Sequence, residues 1–182
     1  MLNKNKIIPA LSTHQSIKKF CQTDIEFGLL MNFQLSQLPE IIREMKKWNK
    51  KIFVHLELIK GLSNDEYGAI YLIQELHVHG IITTKPKVVQ LCKKRGILGI
   101  MRFFLKDKLS LNQSINLLKQ TQPDMIEVLP ALPSKIHHIL YHVDKPILMG
   151  GLIETESEVE ACIEKGASAI TTSKEALWFK QK

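Results

Sequence analysis

The sequence has few cysteines and no long hydrophobic run. Its three cysteines, Cys21, Cys92 and Cys162, are far apart, odd in number and never form a CxxC pair. This pattern argues against a disulfide framework or a thiolate metal site, and it indicates a reducing compartment in which the three behave as small hydrophobes. No apolar stretch approaches the ~18 residues that span a bilayer, and residues 1–12 do not resemble a signal peptide. We therefore expect a cytoplasmic protein without a membrane partner.

A glycine-rich dinucleotide motif and a Gly/Ser-rich linker are also absent. None of the nine glycines forms GxGxxG after the first candidate strand, which weakens the case for an open, doubly wound sheet. No shift in composition divides the 182 residues, and 45% of them are hydrophobic, enough for one core. We expect residues 1–182 to form a single domain.

Short β-type runs alternate with helical patterns along the chain. Eight candidate strands begin about every 23 residues, one per βα unit, and several are continuous apolar runs typical of parallel strands buried on both faces. A closed barrel usually takes ~250 residues, so short loops are required here. The predicted fold is an α/β, TIM-type (β/α) barrel of seven to eight parallel strands. Its candidate strands are residues 6–11, 27–33, 51–59, 80–85, 98–105, 125–130, 146–152 and 169–173.

Polar residues mark where several helices are expected to begin. Ser63, Ser110 and Thr155 each stand three residues before a glutamate or glutamine, which is the spacing of a capping box. Ser173 is expected to cap a final helix over residues 174–179. These starts alternate with the candidate strands and support the barrel.

Glycines and hydroxyls come at the ends of the last two candidate strands. Gly150 and Gly151 end the seventh, whereas Thr171, Thr172 and Ser173 end the eighth. Phosphate binding needs several N–H donors and a close approach of the backbone, which glycine permits. Two tight turns with ordinary caps would also explain these residues. Their place at strands seven and eight, where barrels hold phosphate, favours a phosphate site.

Four ionisable residues lie inside candidate strands. His55 and Glu57 stand two positions apart and would share a face, while Arg102 and Glu127 belong to neighbouring strands. Buried charges are costly unless paired, so a structural Arg102–Glu127 pair and a polar mouth for the hydroxyls of a polyol both fit. A base, an acid and a phosphate grip would also suit an isomerase or aldolase, with Lys85 as a Schiff-base lysine.

Basic residues exceed acidic ones, and the formal net charge is +7. Such a balance favours polyanionic partners. Lysines at helix ends are explained by the helix dipole, but five others follow three adjacent strands on the predicted ligand face and would suit an RNA backbone. The pairs His77/His79 and His137/His138 do not place two imidazoles on one helical face, so we expect no metal. The five rim lysines are Lys60, Lys85, Lys87, Lys106 and Lys108.

Six segments, in this order and spacing, resemble one known family across residues 8–178. They are HLELIKGLSNDEYG from His55, GIITTK from Gly80, RFFLKD from Arg102, PDMIEVLPA from Pro123, GGLIET from Gly150 and AITTSKEALW from Ala169. Together they resemble the glycerol uptake operon antiterminator family (GlpP), the glycerol-3-phosphate-responsive regulators.

The resemblance implies a cytoplasmic, RNA-binding protein with a barrel-type fold. A regulator of this kind binds glycerol 3-phosphate and then an mRNA leader, which prevents transcription termination ahead of glycerol-utilisation genes. The resemblance implies no catalysis and no cofactor, and it supports Gly150, Gly151, Thr172 and Ser173 as phosphate-binding residues. A homo-oligomer is compatible with it.

Overall fold

The computed structural model of the chain describes residues 6–134 and 144–179. Eight parallel strands in this part close into a barrel in chain order. Closure depends on β1 and β8, where Ile8 pairs with Thr171. The strands are β1 (Ile7–Leu11), β2 (Phe27–Leu30), β3 (Lys51–His55), β4 (Gly80–Thr83), β5 (Leu98–Phe104), β6 (Met125–Leu129), β7 (Ile147–Gly150) and β8 (Ala169–Thr172).

Helices follow most strands in the described part of the chain. None of these helices combines the length and the apolar character needed to cross a membrane. The α-helices are α1 (His14–Cys21), α2 (Leu38–Lys47), α3 (Glu66–Gln74), α4 (Pro86–Lys94), α5 (Lys108–Thr121) and α6 (Glu156–Glu164). Single 3-10 turns cover Leu35–Gln37, Leu56–Leu58 and Glu175–Leu177.

The eight predicted strands are confirmed, but two of them end three or four residues earlier than predicted. β2 ends at Leu30 and β3 ends at His55. Beyond these residues the two segments bond to each other outside the barrel ladder, since the Asn32 N–H donates to the Leu58 carbonyl over 2.8 Å. The chain after β3 therefore turns away from the sheet, which changes the direction of the side chains that follow.

Two of the predicted helix caps are wrong by a few residues. Thr155 caps α6 as predicted. The cap of α3 is Asp65, which accepts two backbone N–H bonds and a bond from Ser63. The cap of α5 is Asp107, with Ser110 three residues inside the helix. A carboxylate next to a serine takes the cap because it accepts more hydrogen bonds and suits the positive end of the helix dipole.

The apolar core has two parts, because successive strand residues point to opposite faces of the sheet. Residues such as Ile52 and Val54 pack between the barrel and its helices. The rings of Phe27 and Phe53 lie 5.1 Å apart in the interior. The interior set fills the barrel and is Ile8, Phe27, Leu29, Phe53, Ile82, Ile100, Met125, Leu148 and Ala169.

We expect Phe53→Ala to lower the free energy of unfolding by about 3–5 kcal/mol, the usual cost of a cavity left by a buried phenylalanine. Phe53 is fully buried. Denaturant unfolding measures the change. Tyr67→Ala is the control, because Tyr67 is 80% exposed and its loss should change stability by less than about 0.5 kcal/mol. Similar losses in both variants would contradict the interior assignment.

Candidate functional site

Polar side chains collect above the apolar interior, at the carboxyl ends of the strands. His55, Arg102, Glu127 and Thr171 each stand two positions after an interior residue of the same strand, so all four point into the barrel. Their exposed fractions are 2%, 9%, 0% and 5%. The mouth of the barrel is therefore a buried polar layer rather than an open, solvated rim.

Glu127 links three strands in this layer. Arg102 Nε donates to Glu127 Oε2 over 2.6 Å, and Thr171 Oγ1 donates to Glu127 Oε1 over 2.9 Å. Arg102 and Glu127 are also register partners of β5 and β6, so the predicted pair is present. Apart from Nε, the guanidinium of Arg102 makes no hydrogen bond within the described residues. Its outer nitrogens are free to meet an anion.

Gly150 allows Thr171 to reach across β7. A Cβ built at Gly150 would lie 2.1 Å from Thr171 Oγ1, which no real side chain tolerates. β7 therefore needs glycine at this position so that β8 can bond to Glu127 on β6. The glycine predicted for phosphate approach thus also has a structural role.

Glu57 follows β3 and is tied to the end of β4. Its Oε1 accepts hydrogen bonds from Thr83 Oγ1 and the Thr84 N–H, both over 2.7 Å, and from Thr84 Oγ1 over 2.9 Å. Burial acts to raise the pKa of Glu57, but the hydrogen bonds from Thr84 and Thr83 outweigh it, so the pKa is lowered. Glu57 Oε2 is buried without a hydrogen-bond partner in the described part of the chain.

His55 is the least satisfied group of the site. Both of its ring nitrogens are buried, and neither has a hydrogen-bond partner among residues 6–134 and 144–179. Nδ1 lies 3.4 Å from Glu57 Oε2, too long and poorly aligned for a good hydrogen bond. Burial, followed by the positive charge of Arg102, lowers the pKa of His55 to about 4. The neutral ring offers one donor and one acceptor, which two hydroxyl groups of a ligand could satisfy.

The two predicted phosphate turns lie side by side. Gly150 and Thr171 are register partners of β7 and β8, and Gly151 takes a left-handed φ of 77°. The N–H groups of Gly151, Leu152 and Ser173 have no hydrogen-bond partner among the described residues. Free amides on two adjacent turns can converge on one anion.

Thr172 and Ser173 differ from expectation in their side chains. Thr172 Oγ1 faces outward, where it donates to the Ile153 carbonyl over 3.2 Å and accepts from the Lys174 N–H over 3.0 Å. Ser173 caps no helix, because a single 3-10 turn follows in place of the predicted helix. Trp178 Nε1 donates to the Thr172 carbonyl over 3.1 Å, which holds the chain in that short turn.

The predicted rim lysines stand at the same end of the barrel. Lys60, Lys85, Lys87 and Lys106 are exposed, while the side chain of Lys108 lies outside the described residues. Lys85 directly precedes α4. Because its side chain is exposed, Lys85 lacks the apolar burial that activates a Schiff-base lysine.

Sequence reasoning missed Thr83 and Thr84, which hold Glu57 in place. Their signal was present in the segment GIITTK, where two threonines follow three apolar positions of β4. Hydroxyls at the carboxyl end of a barrel strand are natural donors to a carboxylate in the mouth. The pairing depends on the turn after β3, which the strand pattern did not reveal.

The described residues outside the mouth offer little support for a reactive thiol or a metal site. The three cysteines are buried and free, and burial raises the pKa of Cys92 to about 12, so that thiol is protonated and unreactive at neutral pH. Across the described ranges, no group of three or more His, Cys, Asp or Glu residues is arranged to hold a metal ion. The mouth is thus the main candidate site.

Comparison with known proteins connects this site to a family. The family model described as glycerol-3-phosphate responsive antiterminator matches residues 7–178. The chain is similar to a crystal structure of the glycerol uptake operon antiterminator regulatory protein from Listeria monocytogenes, with 32% identity over 97% of this chain and 95% of that one, and a TM-score of 0.92. A related antiterminator-like protein from Thermotoga maritima gives 29% identity over 96% and 98% of the two chains, with a TM-score of 0.84.

More distant likenesses assign no function to this chain. The Escherichia coli protein YgcP is 26% identical over 98% of this chain and 94% of its own length. Deoxyribose phosphate aldolase from Aeropyrum pernix has a TM-score of 0.75 over 95% of this chain and 87% of its own, but only 13% identity. The TIM-type barrel is therefore confirmed, whereas the chemistry of that enzyme does not carry over at this identity.

We expect His55 to cost stability as the pH falls from about 6.5 to 4. The unfolded imidazole takes a proton near its ordinary pKa of 6.5, whereas the folded ring, with its pKa lowered to about 4, stays neutral. The free energy of unfolding therefore falls as the pH falls, by up to about 3 kcal/mol. Denaturant unfolding of the wild type and His55→Gln at pH 7 and 4.5 measures this. The variant should lose less stability, and equal losses would contradict the assignment.

Proposed function

Because this chain belongs to the glycerol-3-phosphate responsive antiterminator family, we propose that glycerol 3-phosphate binds in the barrel mouth and controls binding to an mRNA leader. The relative from Listeria is named for the glycerol uptake operon, so the regulated genes would serve glycerol use. Such a regulator works in the cytoplasm, where mRNA is made. The observation that supports this proposal lies beside Arg102. There the ring nitrogens of His55 and Glu57 Oε2 are buried and have no hydrogen-bond partner among the described residues.

The charges of the mouth orient the effector. Glu57 is ionised and follows β3, so it would repel a phosphate but accept a hydrogen bond from a hydroxyl group. The free amides at Gly151 and Ser173 lie at β7 and β8, four and three strands away from β3 in a ring of eight. The phosphate would therefore sit on those turns and reach the outer nitrogens of Arg102, with the glycerol hydroxyls on His55 and Glu57.

RNA would bind through the rim lysines above the same mouth. Effector binding can change RNA affinity only if the effector prefers one of two protein states. The loop between Gly61 and Asp65, which follows Glu57, is our candidate for the segment that differs between those states. Oligomerisation would add further RNA contacts but is not required by this scheme.

The alternative is an isomerase or aldolase acting on a small phosphate ester. His55 beside Glu57 resembles a general acid–base pair, and this is the observation that favours catalysis. The regulator family and the exposed position of Lys85 weigh against it. Turnover of small sugar phosphates, together with no RNA binding at any effector concentration, would support the enzyme.

Gly151→Val should abolish binding of glycerol 3-phosphate, whereas Gly96→Val should preserve it. Both glycines have left-handed φ values, 77° and 73°, so valine imposes similar backbone strain at each. Gly96 follows α4, at the amino-terminal end of the barrel, and a Cβ there meets open space. Titration calorimetry measures both affinities. Unaltered affinity in Gly151→Val would remove the phosphate from this turn.

Separate probes divide the two halves of the site. Glycerol and inorganic phosphate should each bind more weakly than glycerol 3-phosphate. Glu57→Gln should weaken glycerol binding and spare phosphate binding, because Glu57 faces the proposed hydroxyl half. The reverse pattern would mean that the effector binds in the opposite orientation.

Lys85→Glu combined with Lys106→Glu should weaken binding of the leader RNA and spare effector affinity. Charge reversal on the rim removes phosphate contacts, so the dependence of affinity on salt should also become shallower. Gel-shift titrations at two salt concentrations measure both effects. The control, Lys93→Glu with Lys94→Glu, makes the same change in net charge at the end of α4. A larger loss in this control would place the RNA on the opposite face.

A further inference from the structure

Two aromatic side chains stand exposed beside the barrel mouth. Tyr67 is 80% exposed and Phe104 is 48% exposed. Tyr67 lies in the first turn of α3, whose residues Ala69 and Leu72 are buried, so the helix does not need this ring for packing. Apolar surface left in water costs free energy, and exposed aromatics at one place indicate a partner.

Exposed lysines alternate with these rings along one half of the rim. Lys60 and Tyr67 follow β3, Lys85 follows β4, and Phe104 and Lys106 come at the end of β5. The three strands are neighbours in the barrel, so the two rings are separated by about 10 Å at the strands and by more at the helices. We call this half the basic rim, defined as residues 60–67, 85–87 and 104–106.

The basic rim contains two acidic residues, Asp65 and Glu66, both at the start of α3, against the four lysines at positions 60, 85, 87 and 106. Asp65 accepts from the N–H groups of Tyr67 and Gly68, and Asp107, next to the rim, accepts from the Ser110 N–H. Each carboxylate caps a helix, where the dipole offsets its charge. The lysines therefore dominate the electrostatic field of this half.

On the other half of the rim, the segment after β7 repels polyanions. Glu154, Glu156 and Glu158 follow β7 and are all exposed. A nucleic acid that approaches the mouth is steered away from this side and towards the basic rim. Charge thus selects one half of the same end of the barrel.

Some basic residues at the amino-terminal end of the barrel, such as Lys93 and Lys94, are exposed, but others are engaged within the protein. Lys50 is buried and donates to the Thr23 and Ile25 carbonyls, while Lys51 pairs with Glu26 over 2.7 Å. Trp48 is exposed there, so this face offers a matched control. It combines one aromatic ring with lysines that are partly engaged within the protein.

We propose that the basic rim binds an unpaired segment of RNA, whose bases stack on Tyr67 and Phe104 while lysines hold its backbone; this rests on the RNA-binding function proposed above. A base can stack on a side chain only when it is not enclosed in a duplex. Positive grooves with interleaved aromatics are the usual design of single-strand binders. The leader would therefore be bound at a segment that is not base-paired.

Phe104 also connects this surface to the effector site. It stands two positions after Arg102 on β5 and is the register partner of Leu129. Leu129 Cδ2 in turn lies 3.3 Å from a Cβ built at Gly151. The Phe104 ring and the proposed phosphate turn at Gly151 therefore both border Leu129. Through Leu129 an effector bound at this turn could change the position of the Phe104 ring.

The test compares aromatic and aliphatic replacements in the full chain. Fluorescence anisotropy would measure binding of a labelled leader transcript, in the presence of glycerol 3-phosphate, as a single strand and annealed to its complement. Phe104→Leu and Tyr67→Leu should each weaken single-strand binding roughly ten-fold, whereas Phe104→Tyr and Tyr67→Phe should bind like the wild type. The salt dependence should stay unchanged in all four, because no charge is altered.

Trp48→Leu at the other end of the barrel is the control and should bind RNA like the wild type. Thermal unfolding of each variant checks that the barrel is intact. Equal binding of single strand and duplex, or equal affinity in the leucine and aromatic variants, would overturn the stacking proposal while leaving RNA binding in place. If the wild type binds no leader RNA with or without effector, the proposed function fails as well.

Discussion

The site depends on how the barrel accommodates the Glu127 carboxylate, which has no exposure to solvent. Such a charge is tolerable only when both oxygens have partners. Arg102 and Thr171 supply them from two other strands, and Gly150 leaves the space through which Thr171 reaches. The Glu127 carboxylate therefore constrains one residue on each of four neighbouring strands, β5 to β8. Its hydrogen bonds also connect β5 and β6 to β8 across β7.

Because Glu127 is satisfied within the protein, the buried side-chain atoms of the described mouth that lack hydrogen-bond partners belong to His55 and Glu57. Glu57 has one oxygen that accepts three hydrogen bonds and another that accepts none. His55 beside it is neutral and unpartnered. Folding leaves such groups unsatisfied at a cost of a few kcal/mol, and a ligand with hydroxyls would recover that cost on binding. The two carboxylates thus differ: Glu127 has partners for both oxygens within the protein, whereas Glu57 has partners for only one among the described residues.

Much of the fold follows from the sequence, since apolar runs and their spacing determine eight strands and their order. The Arg102–Glu127 pair also follows, because two charges in adjacent buried strands must meet. The sequence does not show which face of the sheet a residue near the end of a strand points to. Phe103 and Phe104 look alike in sequence, yet Phe103 is buried under the helices and Phe104 is exposed at the mouth. Likewise the contact of Glu57 with Thr84 depends on the chain leaving the sheet after His55.

The barrel is shared with enzymes, so the function must be argued from how the mouth is built rather than from the fold. An aldolase-type lysine requires an apolar pocket that lowers its pKa, but Lys85 stands on the exposed rim among residues suited to a polyanion. The described mouth offers hydroxyl-binding groups at β3 and free amides at β7 and β8, with a cation between them. That arrangement fits recognition of a small phosphorylated polyol. Leu129 links this mouth to Phe104 on the rim, so a ligand in the mouth would border side chains that also border the rim.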